Sequence, residues 1–421
     1  MMARSYPIVG VIFLTFFVIS FLTNILGPII PDIIDGFGVS LTLAAVLPFC
    51  FFIAYGFFSV PAGFLVERYG EKAAMTGAFA LASVGALAFA ILPSYVVALS
   101  SLFVIGAGMA ILQVAINPLL RVAGGEAHFA FNSACAQLVF GLASFLSPQV
   151  YSLLARGSYE AHGGQSAWVS WLLRLSPPKL PWVSIYWLFA AAALAMTLVL
   201  ALLKLPSVQR TPDESAGTWH AYRALLKRRS TWLYFTSIVA YVGSEQGTAD
   251  WMSQFLYRYH GIDPHTDGAA AVAYFWGLLT AGCVFGVALL RLFDSRHVLI
   301  TFSIGALAML TLALFGPSPV ASMAFPAVGL FASIMWPTIF ALALNSVPDH
   351  HGPFSGILCT GIMGGALVPL AIGAVGDALG LRAGLFVLYL TLGFILSIGF
   401  WARPLVKNAT IRERSSRELP H

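Results

Sequence analysis

The sequence predicts an all-α membrane protein of twelve transmembrane helices in two pseudo-symmetric six-helix bundles. Three observations predict it. Hydrophobic residues make up 59% of the 421-residue chain and charged residues only 9%, with a mean hydropathy of +0.86. Apolar runs of about 18 residues or more recur from one end to the other, each long enough to cross a hydrocarbon layer. One polar stretch, 205–230, divides these runs into two sets.

The first bundle, 1–204, places its spans near 8–31, 42–66, 72–93, 96–123, 128–155 and 182–204. The run from Val9 is kept as a span and not a cleaved leader. It is long, contains Asn24 and Gly27, and no small-residue cleavage site closes it. The second bundle, 231–404, places spans near 231–258, 268–292, 297–316, 320–346, 352–377 and 382–403, followed by a tail, 405–421. The dividing stretch contains Thr211-Pro212-Asp213-Glu214 and ends in Lys227-Arg228-Arg229, so it reads as a linker lying against lipid headgroups, with a short amphipathic helix.

Orientation follows from the basic residues. If both termini are cytoplasmic, 17 of the 22 Lys and Arg residues fall on the cytoplasmic side, as the positive-inside rule requires. The expected location is a cell inner (plasma) membrane, crossed many times. The net charge of +5 and pI near 9.0 reflect this loop bias and point to no nucleic acid. The four cysteines (Cys50, Cys135, Cys283, Cys359) all lie in apolar runs, as small core residues do. His350-His351 reads as a solvated loop pair, and the sequon at Asn408 falls in the cytoplasmic tail.

Glu245 and Asp250 are the only acids deep inside an apolar run. A carboxylate there costs at least about 2.5–3.5 kcal/mol and marks function unless neighbouring helices absorb it. Five residues separate the two, which is about 140° around an unbroken helix. Both face one cation only if the seventh span is interrupted. Gly243 and Gly247 bracket Glu245, and discontinuous helices expose carbonyls to ions in transporters. The sequence therefore predicts a broken seventh helix in which Glu245 carries the coupling charge, as a proton carrier or a sodium ligand.

The halves echo each other. A charged turn, 63–72, follows the second span, and another, 291–297, follows the eighth. In the first turn Gly63, Glu67, Arg68, Gly70 and Lys72 fit G-x-x-x-[DE]-R-x-G-x-[KR], which resembles the signature of the major facilitator superfamily. That resemblance implies the major facilitator fold and a gating role for these five residues. Other segments resemble the fucose/galactose/glucose–proton symporter branch. They are Gln113-Val114-Ala115-Ile116-Asn117-Pro118, Tyr241-Val242-Gly243-Ser244-Glu245, Ser333 to Phe340, and Gly361-Ile362-Met363-Gly364-Gly365. The branch carries an aspartate in the first span and a glutamate in the fourth, where this chain has Gly27 and Gln113. Asn24 matches the asparagine before that aspartate. Cys135, with Gln137 close by, stands where the branch has a glutamine. The resemblance thus implies that any coupling acid has moved, and Glu245 and Asp250 are the candidates.

A sugar needs amide and carboxylate partners and a flat aromatic wall. Asn24, Gln113, Asn117, Gln137 and Gln246 supply the amides, and Gln113 and Asn117 share one helix face. Trp251, Trp276 and Trp336 are internal and can stack on a pyranose, whereas Trp182, Trp187, Trp232 and Trp401 sit near span ends as interfacial anchors. Gln254 is a further amide in these spans, and Asn132 and Asn345 read as interhelical hydrogen-bonding groups before substrate contacts.

The expected function is a monosaccharide transporter working by alternating access, a monomer coupled to H+ or Na+. An uncoupled uniporter and a drug-like solute exporter are the alternatives. An anion exporter is disfavoured because no Arg or Lys lies mid-span. An enzyme is disfavoured because no nucleophile–base pair or metal spacing appears. Nothing in the chain implies a cofactor.

Overall fold

The computed structural model describes residues 6–124, 129–159, 167–205, 219–347 and 350–403. The expected tail 405–421 and the 206–218 part of the expected linker lie outside the described residues.

Almost every described residue is helical. In chain order the helices are α1 (Tyr6–Thr23), α2 (Leu26–Phe37), α3 (Leu41–Ile91), α4 (Tyr95–Gly124), α5 (Phe129–Tyr159), α6 (Ala167–Arg174), α7 (Ser184–Leu202) and α8 (Trp219–Leu226). There follow α9 (Arg229–His260), α10 (Ala269–Leu292), α11 (Ser295–Phe315), α12 (Ser318–Ala332), α13 (Met335–Leu344), α14 (His351–Thr360), α15 (Gly364–Leu379), α16 (Leu381–Gly384) and α17 (Val387–Trp401). Among the described residues, 10 helical stretches are long and apolar enough to cross a membrane. One of these, α3, is two helices meeting at Gly70, whose φ of 81° only glycine adopts readily. The helix α9 is long enough too, at 32 residues, but its many Ser, Thr, Gln and Tyr residues, with Glu245 and Asp250, keep its hydropathy low.

Local sequence explains the element ends. Ser40 caps α3, its hydroxyl accepting from Leu43 N at 3.3 Å. Asp294 caps α11 by accepting from Arg296 N at 2.8 Å. Gly38 and Gly261 close α2 and α9 in the left-handed conformation.

The expected break in the seventh span is not there. The helix α9 runs unbroken through Gly243 and Gly247. Both glycines instead let α15 come close. A Cβ on Gly243 would stand 2.3 Å from Val368 Cγ2, and one on Gly247 would stand 2.9 Å from Ile372 Cδ1. In lipid, close packing at small residues drives helix association, and here that need outweighed the helix-weakening tendency of glycine. The breaks fall elsewhere. Asn24 and Ile25 separate α1 from α2, Ser333 and Ile334 separate α12 from α13, and a 3-10 turn, Gly361–Met363, joins α14 to α15.

Residues up to Leu202 pack mainly on each other, through α3 with α4 and α7 and through α1 with α5. Residues from Arg229 onward do likewise, through α10 and α11 with α12 and through α9 with α15 and α17. Three seams join these groups: α3 on α14 and α15, α5 on α10, and α2 on α9. The face that carries α8 is called here the linker face, and the opposite one the distal face.

Candidate functional site

The unbroken α9 sets the geometry of the site. Glu245 and Asp250 point in different directions, and they have different surroundings. Tyr241 lies one turn before Glu245, and its hydroxyl donates to Glu245 Oε1 at 2.7 Å. The Tyr241 ring lies 6.0 Å from Trp336 of α13, which stacks on Phe340 at 5.7 Å. Trp336 is half-buried. Glu245, Tyr241 and Trp336 thus combine a carboxylate, a hydroxyl and an indole face, the groups that a hydroxylated ring requires.

Asp250 is only 2% exposed, and its Oδ2 has no hydrogen-bond partner. It shares a face of α9 with Gln246 and Gln254, one turn to either side. Both are buried, and Gln254 Oε1 also lacks a partner. This face meets Gly27 of α2, where a Cβ would stand 2.3 Å from Ala249 O and 3.3 Å from Asp250 Cα. The backbone of α9 therefore fills the space that a side chain at position 27 would need. A buried carboxylate without a partner is costly, and a proton or a polar solute removes that cost.

The other expected site residues divide. Gln113 on α4 is half-buried with Oε1 unpartnered. The side chain of Asn117 lies outside the described residues. Gln137 is exposed and lies one turn before Gly141, which abuts Thr280 of α10, so it belongs to the α5 face turned toward α10. Asn24 is buried and its amide nitrogen is committed to α5, donating to Ser144 Oγ at 2.8 Å and to Ser20 Oγ at 3.3 Å. Trp276 on α10 is 3% exposed with its N–H unpartnered.

Trp251 does not line a cavity. It is fully buried, and its N–H donates to Pro369 O of α15 at 3.1 Å. It lies on the Gly243 and Gly247 face, the one packed on α15, so it offers no ring face to a solute.

The five residues of the charged turn lie at the linker face. Glu67 and Arg68 are exposed, and Arg68 lies over the Tyr69 ring at 5.4 Å. Lys72 Nζ donates to Ala201 O, at the end of α7, at 2.9 Å. The loop helix α8 closes over this turn. Tyr222 lies 6.3 Å from the Phe64 ring and against Gly356 of α14. Its hydroxyl, outside the membrane-spanning segments, is pushed up to about 12 by burial and by Glu67.

A second polar cluster, which sequence reasoning missed, closes the distal face. Asp32 of α2 accepts from Tyr151 of α5, and His265 Nε2 lies 2.8 Å from Asp32 Oδ1. Ser152 Oγ donates to His265 O at 2.5 Å, and Asp263 Oδ1 lies 3.3 Å from His265 Nδ1. Asp32 ends an apolar run and His265 opens one, so each read alone as a span boundary. Beyond them opens a vestibule of about 490 Å³ lined by Asp32, Asp35, Lys179, Trp182, Tyr257 and His265. It holds neither Glu245 nor Asp250 and lies on the far side of the closure.

Comparison with known proteins agrees with this architecture. Residues 12–260 match the model of the Major Facilitator Superfamily. A glucose/galactose transporter of Brucella abortus is 33% identical over 383 residues, covering 88% of this chain and 87% of that one. The L-fucose-proton symporter of Escherichia coli K12 is 28% identical over 405 residues, covering 90% and 89%. A crystal structure of the fucose symporter FucP in the outward conformation superposes with a TM-score of 0.67 at 24% identity, covering 94% of this chain and 99% of that one. An inward-facing bacterial Spinster homologue gives 0.74 at 15% identity, covering 94% and 97%. A family match over more than half of the chain, and a relative one-third identical along most of it, settle the assignment: the chain belongs to the major facilitator superfamily.

Proposed function

We propose that this protein is a secondary transporter of a monosaccharide, a hexose or deoxyhexose, that works by alternating access and is coupled to protons through the acids of α9. The observation that carries this reading is the pairing of Tyr241 with Glu245 beside Trp336, with Asp250 buried and unpartnered at the crossing of α9 and α2. The sugar-transporting relatives support it. Gln113, Gln137 and Gln246 complete the set of sugar contacts, and Trp276 adds an unpartnered indole N–H as a donor.

A proton is favoured over sodium by the intact α9. Its carbonyls stay in helical hydrogen bonds, so neither carboxylate gains the backbone oxygens that a metal cation needs. The bias of the basic residues supports a linker face in the cytoplasm. With the distal cluster closed, a solute held in the conformation described has no path out through the distal face. The protein acts as a monomer with twelve spans, both termini inside and Glu67, Arg68 and Lys72 at the cytoplasmic gate.

Reconstitution in liposomes tests the reading. A hexose panel assayed by counterflow identifies the sugar, and imposed proton and sodium gradients identify the ion. Glu245→Gln and Asp250→Asn are expected to abolish proton-driven accumulation while counterflow persists. Accumulation that survives both substitutions, or that never responds to a proton gradient, overturns the coupling and leaves a uniporter.

A further inference from the structure

The spacing of the charged turn occurs twice, on opposite faces of the protein. Gly63, Glu67, Gly70 and Lys72 follow the second span. Gly373, Asp377, Gly380 and Arg382 follow the eleventh, each displaced by one constant offset. The same offset separates the helix starts, Leu41 of α3 and His351 of α14. It also relates the two backbone breaks, Gly70 at φ 81°, ψ 161° and Gly380 at φ 91°, ψ 150°. Few sequences adopt that conformation, and only glycine does so without strain. Matching elements on opposite faces are what inverted repeats in a transporter produce.

The basic residue of each turn lies at the end of a neighbouring helix. Lys72 reaches the carbonyl end of α7. Arg382 takes up its position differently, over aromatic rings at the helix ends: its guanidinium lies 5.9 Å from the ring of Phe315, the last residue of α11, and 4.8 Å from the Tyr259 ring. Asp377 crosses between the two groups of helices. Its Oδ1 accepts from Leu41 N at 2.9 Å. Its Oδ2 accepts from Thr42 N at 2.9 Å and from the Thr42 hydroxyl at 2.5 Å. A carboxylate has been set on the N-terminus of a helix from the opposite half, where both the free N–H groups and the helix dipole favour it. The fit is close: a Cβ on Gly373 would stand 2.8 Å from Leu41 O.

We infer that 373–382 is a distal counterpart of the turn 63–72, and that Asp377 is a latch that holds α3 to α15 while the distal side is closed. The latch must release when that side opens. By the repeat relation, Glu67 performs the corresponding task at the start of α14 when the linker side is closed. The two carboxylates then bias the rocking equilibrium in opposite directions. This inference rests on the proposed gating role of 63–72, and the test separates the two.

Distances between paired spin labels provide that test. The cysteines at 50, 135, 283 and 359 are replaced, and the protein is reconstituted in lipid nanodiscs. One label pair at Leu43 and Leu379 spans the distal face, and one at Tyr69 and Arg229 spans the linker face. All four positions are exposed. Asp377→Ala is expected to shift the populations about tenfold, the usual effect of losing a helix-capping carboxylate, with the distal pair lengthening and the linker pair shortening. Asp377→Asn, which keeps one acceptor, should fall between. Glu67→Ala should shift both pairs the opposite way. Unchanged distances in a monodisperse, fully helical Asp377→Ala protein overturn the latch. Shifts in the same direction for both alanine variants overturn the counterpart relation. If Glu67→Ala alone has no effect, the gating role of 63–72 falls, and the inferred pairing falls with it.

Discussion

Gly27 and Ala249 touch backbone to backbone: a Cβ on the glycine would stand 2.3 Å from the alanine carbonyl oxygen. No side chain fits at position 27 while this contact holds. In the conformation described, α9 passes through the space that an aspartate at position 27 would fill, and Asp250 lies immediately beside it. Asp250 thus places an acid of the second half at the crossing where Gly27 leaves no room for a side chain.

Gly27→Ala should therefore act on conformation and not on folding. Overpacking costs about 1–3 kcal/mol, and it falls only on the state in which α2 and α9 are in contact. Transport should drop roughly tenfold or more while expression and the thermal transition change little. A normal transport rate in this variant would remove the crossing from the mechanism.

Tyr241→Phe tests the Glu245 environment without removing the acid. A hydrogen bond to a charged group contributes about 1.5–3 kcal/mol. If the pair contacts solute, KM in counterflow should rise about tenfold or more, with protein yield unchanged. An unchanged KM would mean that the pair is structural.

The tryptophans separate packing from binding. Trp251→Ala empties a fully buried site and severs the bond to Pro369, at a cost of about 3–5 kcal/mol. Its effect should appear as a lower thermal transition and poor yield. Trp336→Ala should leave the thermal transition within a few degrees and raise KM severalfold, because that ring is half-buried and stacked at the edge of the site. The reverse pattern would exchange the two roles.

Much of this was legible in the sequence, for reasons that differ by residue. Span positions followed from length and apolarity, and the turn at Gly70 was visible because its glycine and flanking charges stand out from lipid-compatible residues. Glu245 and Asp250 stood out because burying charge is costly, and the structure does bury Asp250. What a single sequence cannot show is which neighbour a small residue faces. Gly243 and Gly247 read as helix-breaking and are in fact packing surfaces for α15. Trp251 read as a sugar platform, yet it lies on the same packed face, and only the partner helix reveals this. Asp377 and His265 lie at span ends, and only the fold brings them to Leu41 and Asp32.

The distal cluster yields the last prediction. Asp32 takes bonds from Tyr151 and His265 at once, so one carboxylate ties α2 to α5 and to the start of α10. Asp35 lines the same vestibule, one turn further along α2, and serves as its control. Asp32→Ala removes both bonds and with them the tie between His265 and α2. Amide hydrogen exchange in 262–269 should accelerate about tenfold, because the segment loses a tether worth about 1–3 kcal/mol. Asp35→Ala should leave that exchange unchanged. If the two variants behave alike, general loss of negative charge explains the effect, and Asp32 is not the closing element of the distal face.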